Sequence, residues 1–458
     1  MKKRIFALLL AAAMIFSVAG CKKAGETSST GATGDAQIPP ANTELALPKY
    51  EIKDKVIKVL STSDEDATAG TSLWAQAYKL AEENYGIKVE KMMVTDTWAA
   101  TTTMLATGTP PSFVEAHKVK AFFPRLCSEG IFADVNTLIN REDVMWKDML
   151  KYNDIYSIGD KSFSLVTDVF TSETLYYNSA LIRSAGLEDP MALYKKNEWT
   201  WDKMMEYIEK IAGDKNGDGV VDIYGIDFLN LYSAYMSSMG STAVAIKDGK
   251  ITTDPLFNGN YEKFGNFASN LLSRGAKGYY SPVENKVATA KMLFSCGGYW
   301  GIKNNPTLTA QMKAGEISLV PYPRHSEADG YYMLGVTSGY AIPTAGNPVA
   351  AAAVLSCFRY LKYPNEKNLS SVAAQYKSEG WNDDVVHFLT YDQFCQPGAL
   401  QNFSLTPNVN FASSEVSAVM SKLGTDVLEK QQNWATVRDK YITRIQNAVD
   451  DANKLINK

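Results

Sequence analysis

Apolar residues recur along this chain at two spacings, and the two alternate. Val56-Ile57-Lys58-Val59-Leu60 reads as a short strand with one polar interruption, and Leu73, Trp74, Ala77, Tyr78 and Ala81 then fall on one helical face that stops near Gly86. Ile87 to Met92 is a second strand, after which Asp96 caps a helix running from Thr97 to Thr107 and closed by Gly108. Phe113-Val114 is a third, followed by polar Glu115-Ala116-His117 and a helix running to Gly130.

The same alternation resumes after Asp168. Phe170 to Tyr177 is rich in aromatic residues and threonine, which suit a pleated, half-buried strand. Ser179 can cap a short helix ending at Gly186, with Leu187 as the apolar residue that packs back. Thr200 caps a further helix carrying Trp201, Met204, Ile208 and Ile211. A helical, Tyr-rich segment at 228–239 and a helix around 261–274 follow. Apolar strands come next within 287–300, 317–323 and 335–342. Val349 to Leu361 is a helix, and two more lie around 414–429 and 434–456. Strands alternating with helices predict an α/β fold with doubly wound sheets. With 458 residues, the chain exceeds what one core sustains, so two lobes are expected.

The N-terminus changes the picture. Lys2, Lys3 and Arg4 precede an apolar run from Ile5 to Val18, too short to span a bilayer comfortably, so residues 1–20 read as a secretion signal. Val18-Ala19-Gly20-Cys21 resembles the bacterial lipoprotein box, in which Cys21 receives lipid (palmitate) and becomes the first mature residue. Residues 21–50 are small, polar and Pro-punctuated, the composition of a flexible tether. The net charge of −4 gives no electrostatic case for nucleic acid or for an anionic membrane, and no phosphate-cradling loop is present. Cys127, Cys296, Cys357 and Cys395 form no disulfide framework and read as buried thiols.

Catalytic signatures are missing. There is no GxSxG, SxxK or HExxH, and His117, His325 and His387 are far apart. Paired carboxylates for glycoside hydrolysis meet in space, so a secreted glycan-degrading lipoprotein stays as an alternative. Asp214, Asn216, Asp218, Val220 and Asp222 match ligand positions of a calcium loop, with Gly219 at the turn, but Gly225 stands where the bidentate glutamate belongs. The loop is thus either a structural Ca²⁺ site or a turn closed by its own side chains. No cofactor is required.

Several stretches, taken in order, resemble one family. Leu175-Tyr176-Tyr177-Asn178, Ser184-Ala185-Gly186-Leu187 and the Thr200-Trp201-Asp202 helix start are its pattern, as are the apolar segment closing in Gly298-Tyr299-Trp300 and Asn347-Pro348 before a helix. The chain is similar to the extracellular solute-binding proteins of the sugar type, relatives of maltose-binding protein, which feed ABC importers. Gly108 to His117 fits as well, except that Ser112 stands where the family usually has aspartate.

The resemblance implies a two-lobe, Venus-flytrap fold: residues 51–168 with 340–395 in the first lobe, and 169–339 with 396–458 in the second. It implies a monomer, lipid-anchored on the outer face of the cell membrane, that binds a sugar or oligosaccharide between the lobes. The partner implied is the permease of an ABC transporter, with no chemistry on the ligand. A peptide or a polyamine is the alternative cargo.

Trp300 lies where relatives stack a sugar, and a flat indole suits the apolar face of a pyranose. One stacked indole burying about 100 Å² is worth roughly 2.5 kcal/mol, against the about 8 kcal/mol of a micromolar ligand, so other groups must converge. The candidates are Asp64 and Glu65 after the first strand, Trp98, Glu115 and His117, Tyr232 and Tyr235, and Trp381 from the later segment. Each has a plainer reading: a solvated loop for Asp64 and Glu65, core for Trp98, surface for His117, and helix packing for Tyr232 and Tyr235. Carboxylates accept paired hydroxyls, whereas an amino-acid or phosphate binder would want arginine, and none stands in these loops.

Overall fold

The computed structural model describes residues 38–62, 72–119, 121–171, 174–227, 237–240, 245–247, 250–253, 259–281, 291–392, 400–403, 426 and 433–457. Three of the sheets among these residues organise it. In chain order the elements of the first half are β1 (Val56–Ser61), α1 (Leu73–Tyr85), β2 (Lys88–Met93), α2 (Thr97–Ala106), β3 (Val114–Glu115) and β4 (Leu165–Thr171). Then come β5 (Thr174–Asn178), α3 (Ser179–Ser184), α4 (Pro190–Lys195), α5 (Trp201–Ile211), β6 (Tyr224–Asp227), α6 (Asn260–Ser273), β7 (Tyr280–Ser281), β8 (Met292–Gly297), α7 (Tyr299–Lys303) and β9 (Ile317–Val320). The chain closes with β10 (Tyr332–Ala341), α8 (Pro348–Lys362), α9 (Glu366–Glu379), β11 (Leu400–Phe403) and α10 (Trp434–Ile456).

In the first lobe β1 pairs in parallel with β2, from Val56 opposite Lys88 to Ser61 opposite Met93. Ile57 and Val59 point inward while Lys58 points out, as a period of two requires. Ser112 joins β1 to the start of β3: its N–H donates to the Lys58 carbonyl at 2.7 Å, and its hydroxyl accepts from the Lys58 N–H at 3.0 Å. The side chain that departs from the family pattern thus serves as a strand partner. Beneath these strands Ala77 and Ala81 of α1 share a core with Ala350 to Leu355 of α8. Such small residues let two helices approach closely.

The second lobe is built on a five-stranded sheet in the order β7-β6-β8-β5-β9. β5 runs antiparallel to both β8 and β9, and all five of its residues are buried, because helices cover both faces. Tyr177 donates to both carboxylate oxygens of Asp189 at 2.7 and 2.8 Å, and Asp189 in turn caps α4 through the Met191 N–H. Trp199 and Trp201 are buried beside α5 and complete this core.

β4 and β10 pass between the two lobes side by side. They pair antiparallel from Gly335 opposite Thr171 to Tyr340 opposite Leu165, with a break in register at Ser338/Gly339. β10 also pairs with β3 and β11. The buried guanidinium of Arg359, on α8, donates to the Met145 carbonyl at 3.1 Å and to the Thr167 carbonyl on β4 at 3.2 Å. At the end of the same helix, Lys362 meets the buried Asp168 of β4 at 2.6 Å.

Some expectations need correction. α3 is capped by Asn178, whose side chain accepts from the Leu181 N–H, and Ser179 is the first helical residue. The helix expected after His117 is reduced to a 3-10 turn at Ala116–Lys118 and a short helix at Arg125–Ser128, since Pro124 offers no N–H to carry a helix through. The tether ends earlier than residue 50. Asp143, buried, accepts from the backbone and side-chain nitrogens of Asn42, both at 2.9 Å, and Tyr50 bonds Ser356 at 3.0 Å, so residues 42–50 lie on the first lobe. Residues 383–392, expected in the first lobe, pack on the second: Val385, Phe388 and Leu389 join its core, and Lys195 of α4 pairs with Asp384 at 2.7 Å. Cys127, Cys296 and Cys357 are buried thiols, while Cys395 and the helix expected at 414–429, save residue 426, lie outside the described residues.

Candidate functional site

Two features flank the crossing strands. The first is a cavity of about 160 Å³ in the first lobe, at the C-terminal ends of β1 and β3. Its floor is aromatic. Trp74 stacks on Phe358 at 4.2 Å between ring centroids and on Phe113 at 5.6 Å, and meets the Tyr340 ring edge-on at 5.6 Å. Its mouth is polar, with Ser61, Thr62, Lys91, Thr97, Glu115 and Lys118. Lys118 forms an ion pair with Glu115, and His117 Nε2 lies 3.5 Å from the same carboxylate. Burial lowers the pKa of His117, with the Glu115 charge acting against that shift. Lys91 sits 5.4 Å over the ring of Tyr78.

Aromatic faces below hydroxyls, amines and a carboxylate can hold a ring that is apolar on one side and polyhydroxylated at its edge. Strand C-termini in open α/β sheets are where such ligands sit.

The second feature is Trp300, at the start of α7 in the second lobe and 38% exposed. Glycines make room for it. A Cβ on Gly298 would stand 2.0 Å from the indole, and one on Gly301 would stand 2.4 Å from the Tyr176 hydroxyl. That hydroxyl donates to the Gly298 carbonyl, so Tyr176 on β5 pins the turn on which the indole rests. Lys362, whose charge burial opposes and Asp168 more than restores, also lies within electrostatic reach of Tyr299, next to Trp300. The indole itself lies outside the lining of the first-lobe cavity.

Of the residues the sequence singled out, Glu115 lines the cavity and His117 sits on its carboxylate. Trp98 is half-buried at the start of α2, where Asp96 caps its N–H, and Thr97 beside it lines the cavity instead. Trp381 is a correction. It is 5% exposed and belongs to the larger of the two cores, because it follows the left-handed Gly380 that ends α9. Its N–H donates to the Tyr376 carbonyl, the bond that turns an apolar residue back onto its own helix after a glycine cap. Asp64, Glu65, Tyr232 and Tyr235 lie outside the described residues.

Trp74, Phe113 and Tyr340 were missed as site residues because helix and strand periodicity marks them as core. Lys91 and Lys118 carry no signal in the sequence that separates them from the other surface lysines, and only the fold brings them to the cavity.

In the Asp214–Asp222 loop the side chains turn to their own backbone. The Asp214 carboxylate accepts from the N–H groups of Asn216, Gly217 and Gly219 at 3.1, 2.7 and 2.8 Å, and these donors hold its pKa below the ordinary value. Asp218 accepts from the Val220 N–H and Asp222 from the Lys215 N–H, at 2.8 and 2.7 Å. Val220 is 65% exposed. Among the described residues, no three His, Cys, Asp or Glu side chains come together to hold a metal ion.

Two crossing strands joining two halves, each with its own strands and helices, make a two-lobe α/β fold. Solved structures share it. The GacH receptor of Streptomyces glaucescens GLA.O, solved unliganded and with acarbose, is 14% identical over 88% of this chain and 98% of its own, with a TM-score of 0.55. An ABC transporter solute-binding protein from Thermotoga lettingae TMO, bound with alpha-D-tagatose, is 16% identical over 88% of this chain and 100% of its own, with a TM-score of 0.55. UgpB from Mycobacterium tuberculosis, in complex with glycerophosphocholine, is 14% identical over 87% and 99%, with a TM-score of 0.56. No curated protein matches the sequence. Residues 74–361 match the model of the bacterial extracellular solute-binding proteins, and the chain belongs to that family. Its working side is therefore extracellular. Among the described residues no helix is long and apolar enough to cross a membrane.

The Trp300 platform yields a test. Gly298 has φ −85, so alanine there strains no backbone and only displaces the indole. Gly298→Ala should keep the melting temperature within about 3 °C of wild type while changing the near-ultraviolet circular dichroism of the tryptophans. An unchanged spectrum would mean that the indole does not rest on this turn.

Proposed function

We propose that this protein captures a carbohydrate, a sugar or an oligosaccharide, between its lobes and delivers it to the permease of an ABC transporter. The observation that carries this is the part-exposed Trp300 indole, held over a glycine turn in the second lobe, together with a first-lobe cavity of aromatic floor and polar mouth. The structures with acarbose and alpha-D-tagatose, which share the fold, support the ligand class. Glu115 accepts ligand hydroxyls, Lys91 and Lys118 donate to them, and the indole covers an apolar ring face. No chemistry occurs on the ligand: the site serves binding alone. Cys21 carries the lipid that holds the protein at the outer face of the membrane, after removal of residues 1–20 as a signal peptide, and the protein works as a monomer.

Lys91 and Lys118 favour one second reading, a polyol that bears a phosphate, since two ammonium groups at the mouth outnumber the single carboxylate there. The glycerophosphocholine complex of UgpB is the parallel for such a ligand.

For the Asp214–Asp222 loop we infer a turn closed by its own donors, with calcium as the alternative at Asp214, Asn216, Asp218, Val220 and Asp222. Millimolar calcium, followed by excess chelator, should leave the melting temperature unchanged. A calcium-dependent rise that Asp218→Ala removes would place the ion in the loop.

A thermal-shift panel of mono- and oligosaccharides with glycerophosphodiesters tests the ligand class, because a ligand that binds the native state alone raises the melting temperature by mass action. One or more sugars should give a shift of several degrees, and Trp300→Ala should abolish it while leaving the unliganded protein as stable as before. A shift with glycerophosphodiesters alone would install the second reading. A sugar shift that survives Trp300→Ala would end the stacking role.

A further inference from the structure

Helix α9 has an unusual place in the fold. It spans 14 residues, Glu366–Glu379, none of them fully buried, and it rests on the core through the partly buried Ala373 and Tyr376. Its two ends are also tied by polar contacts, and those contacts reach different lobes. At the start, Asn365 caps it by accepting from the Asn368 N–H, and the Asn368 side chain donates to the carbonyls of Tyr360 and Tyr363 at 3.2 and 2.9 Å. These carbonyls belong to the end of α8, whose other turns fill the first-lobe core. At the far end, Glu379 pairs with Lys303 of α7 at 2.7 Å and also accepts from Gln375 at 3.0 Å. One turn earlier, the Tyr376 ring meets the Tyr299 ring edge-on at 5.8 Å. Tyr299 in turn meets Trp300 edge-on at 5.9 Å.

Edge-to-face rings and a half-exposed ion pair are each modest, but they act on a helix of five residues, Tyr299–Lys303, that carries the exposed indole. The glycine turn before α7 and the Tyr176 hydroxyl fix one side of the indole. The contacts from α9 reach Tyr299, whose ring meets the indole, and Lys303 at the end of α7.

We propose that Tyr376 and Glu379 are positioning residues for the Trp300 platform, and that α9 is a strap transmitting the position of the first-lobe helix α8 to that platform. This rests on the reading of Trp300 as the surface that meets the ligand. In consequence, any rotation of the lobes about the crossing strands reorients the indole, so stacking and closure are coupled. A helix anchored to α8 at its start and bearing on α7 at its end carries a displacement of the first to the second.

Fluorine NMR of the protein labelled with 5-fluorotryptophan tests the strap without any ligand. The resonance that disappears in Trp300→Phe identifies Trp300. Tyr376→Ala and Glu379→Gln should each shift or broaden that line while leaving the lines of the buried Trp146, Trp199 and Trp201 in place. Asn368→Ala, at the opposite end of α9, should move the same line, which a local packing effect at Tyr376 would not do. If a sugar is found by thermal shift, Glu379→Gln, which keeps the size of the side chain, should weaken its binding about five- to twenty-fold with little change in melting temperature. A Trp300 line unmoved in Tyr376→Ala and Glu379→Gln would overturn the positioning role. A line moved by these two and unmoved by Asn368→Ala would overturn the strap. Absence of any sugar ligand would count against the carbohydrate reading alone, since the fluorine line is read without one.

Discussion

The antiparallel pairing of β4 with β10 is the constraint on which the other parts depend. These strands are the paired passage between the two lobes, and their register fixes what stands at the junction. Tyr340 is set opposite Leu165 and, on the other edge, opposite Glu115, so the cavity floor and its carboxylate are placed by one ladder. Gly339 lies at the break in register, where a Cβ would stand 2.4 Å from the Ser164 hydroxyl, so a larger residue here displaces that side chain. Asp168 and Arg359 then tie β4 to α8. Burying such charges is costly unless they are paired, and both are, which makes the passage specific in geometry and resistant to slipping.

From this junction the two halves of the site diverge. The first lobe offers a cavity whose aromatic residues are also its core: Trp74 belongs to α1, packs on α8 through Phe358, and still faces the opening. The second lobe offers one exposed indole, supported from below by Tyr176 and from the side by Tyr299. Neither half is a complete site for a ligand of several kcal/mol. A ligand that touches both gains affinity only when they approach, which is the physical basis for coupling capture to closure.

Much of the fold was legible in the sequence because it rests on local chemistry. Thr200, Asp96 and Gly186 stand at helix ends where capping requires such residues, and Leu187 packs back after Gly186 through its N–H to Ile182. The site was legible only in part. Trp300 and Glu115 stand at strand ends, where a linear reading can find them. Trp74 and Tyr340 carry the periodicity of core residues, pack in the core and line the cavity as well. Trp381 looked like a free aromatic and is instead the apolar anchor of a glycine cap. The contacts of Asn42 with Asp143, about a hundred residues apart, have no local signal at all, so the tether was drawn too long.

Small-angle X-ray scattering of the soluble protein, lacking residues 1–21, measures the central claim most directly. With a saturating sugar identified by thermal shift, the radius of gyration should fall and the longest distances in the pair distribution should shorten, and Trp300→Ala should remove both changes. An identical scattering curve with and without the bound sugar would contradict capture by closing lobes.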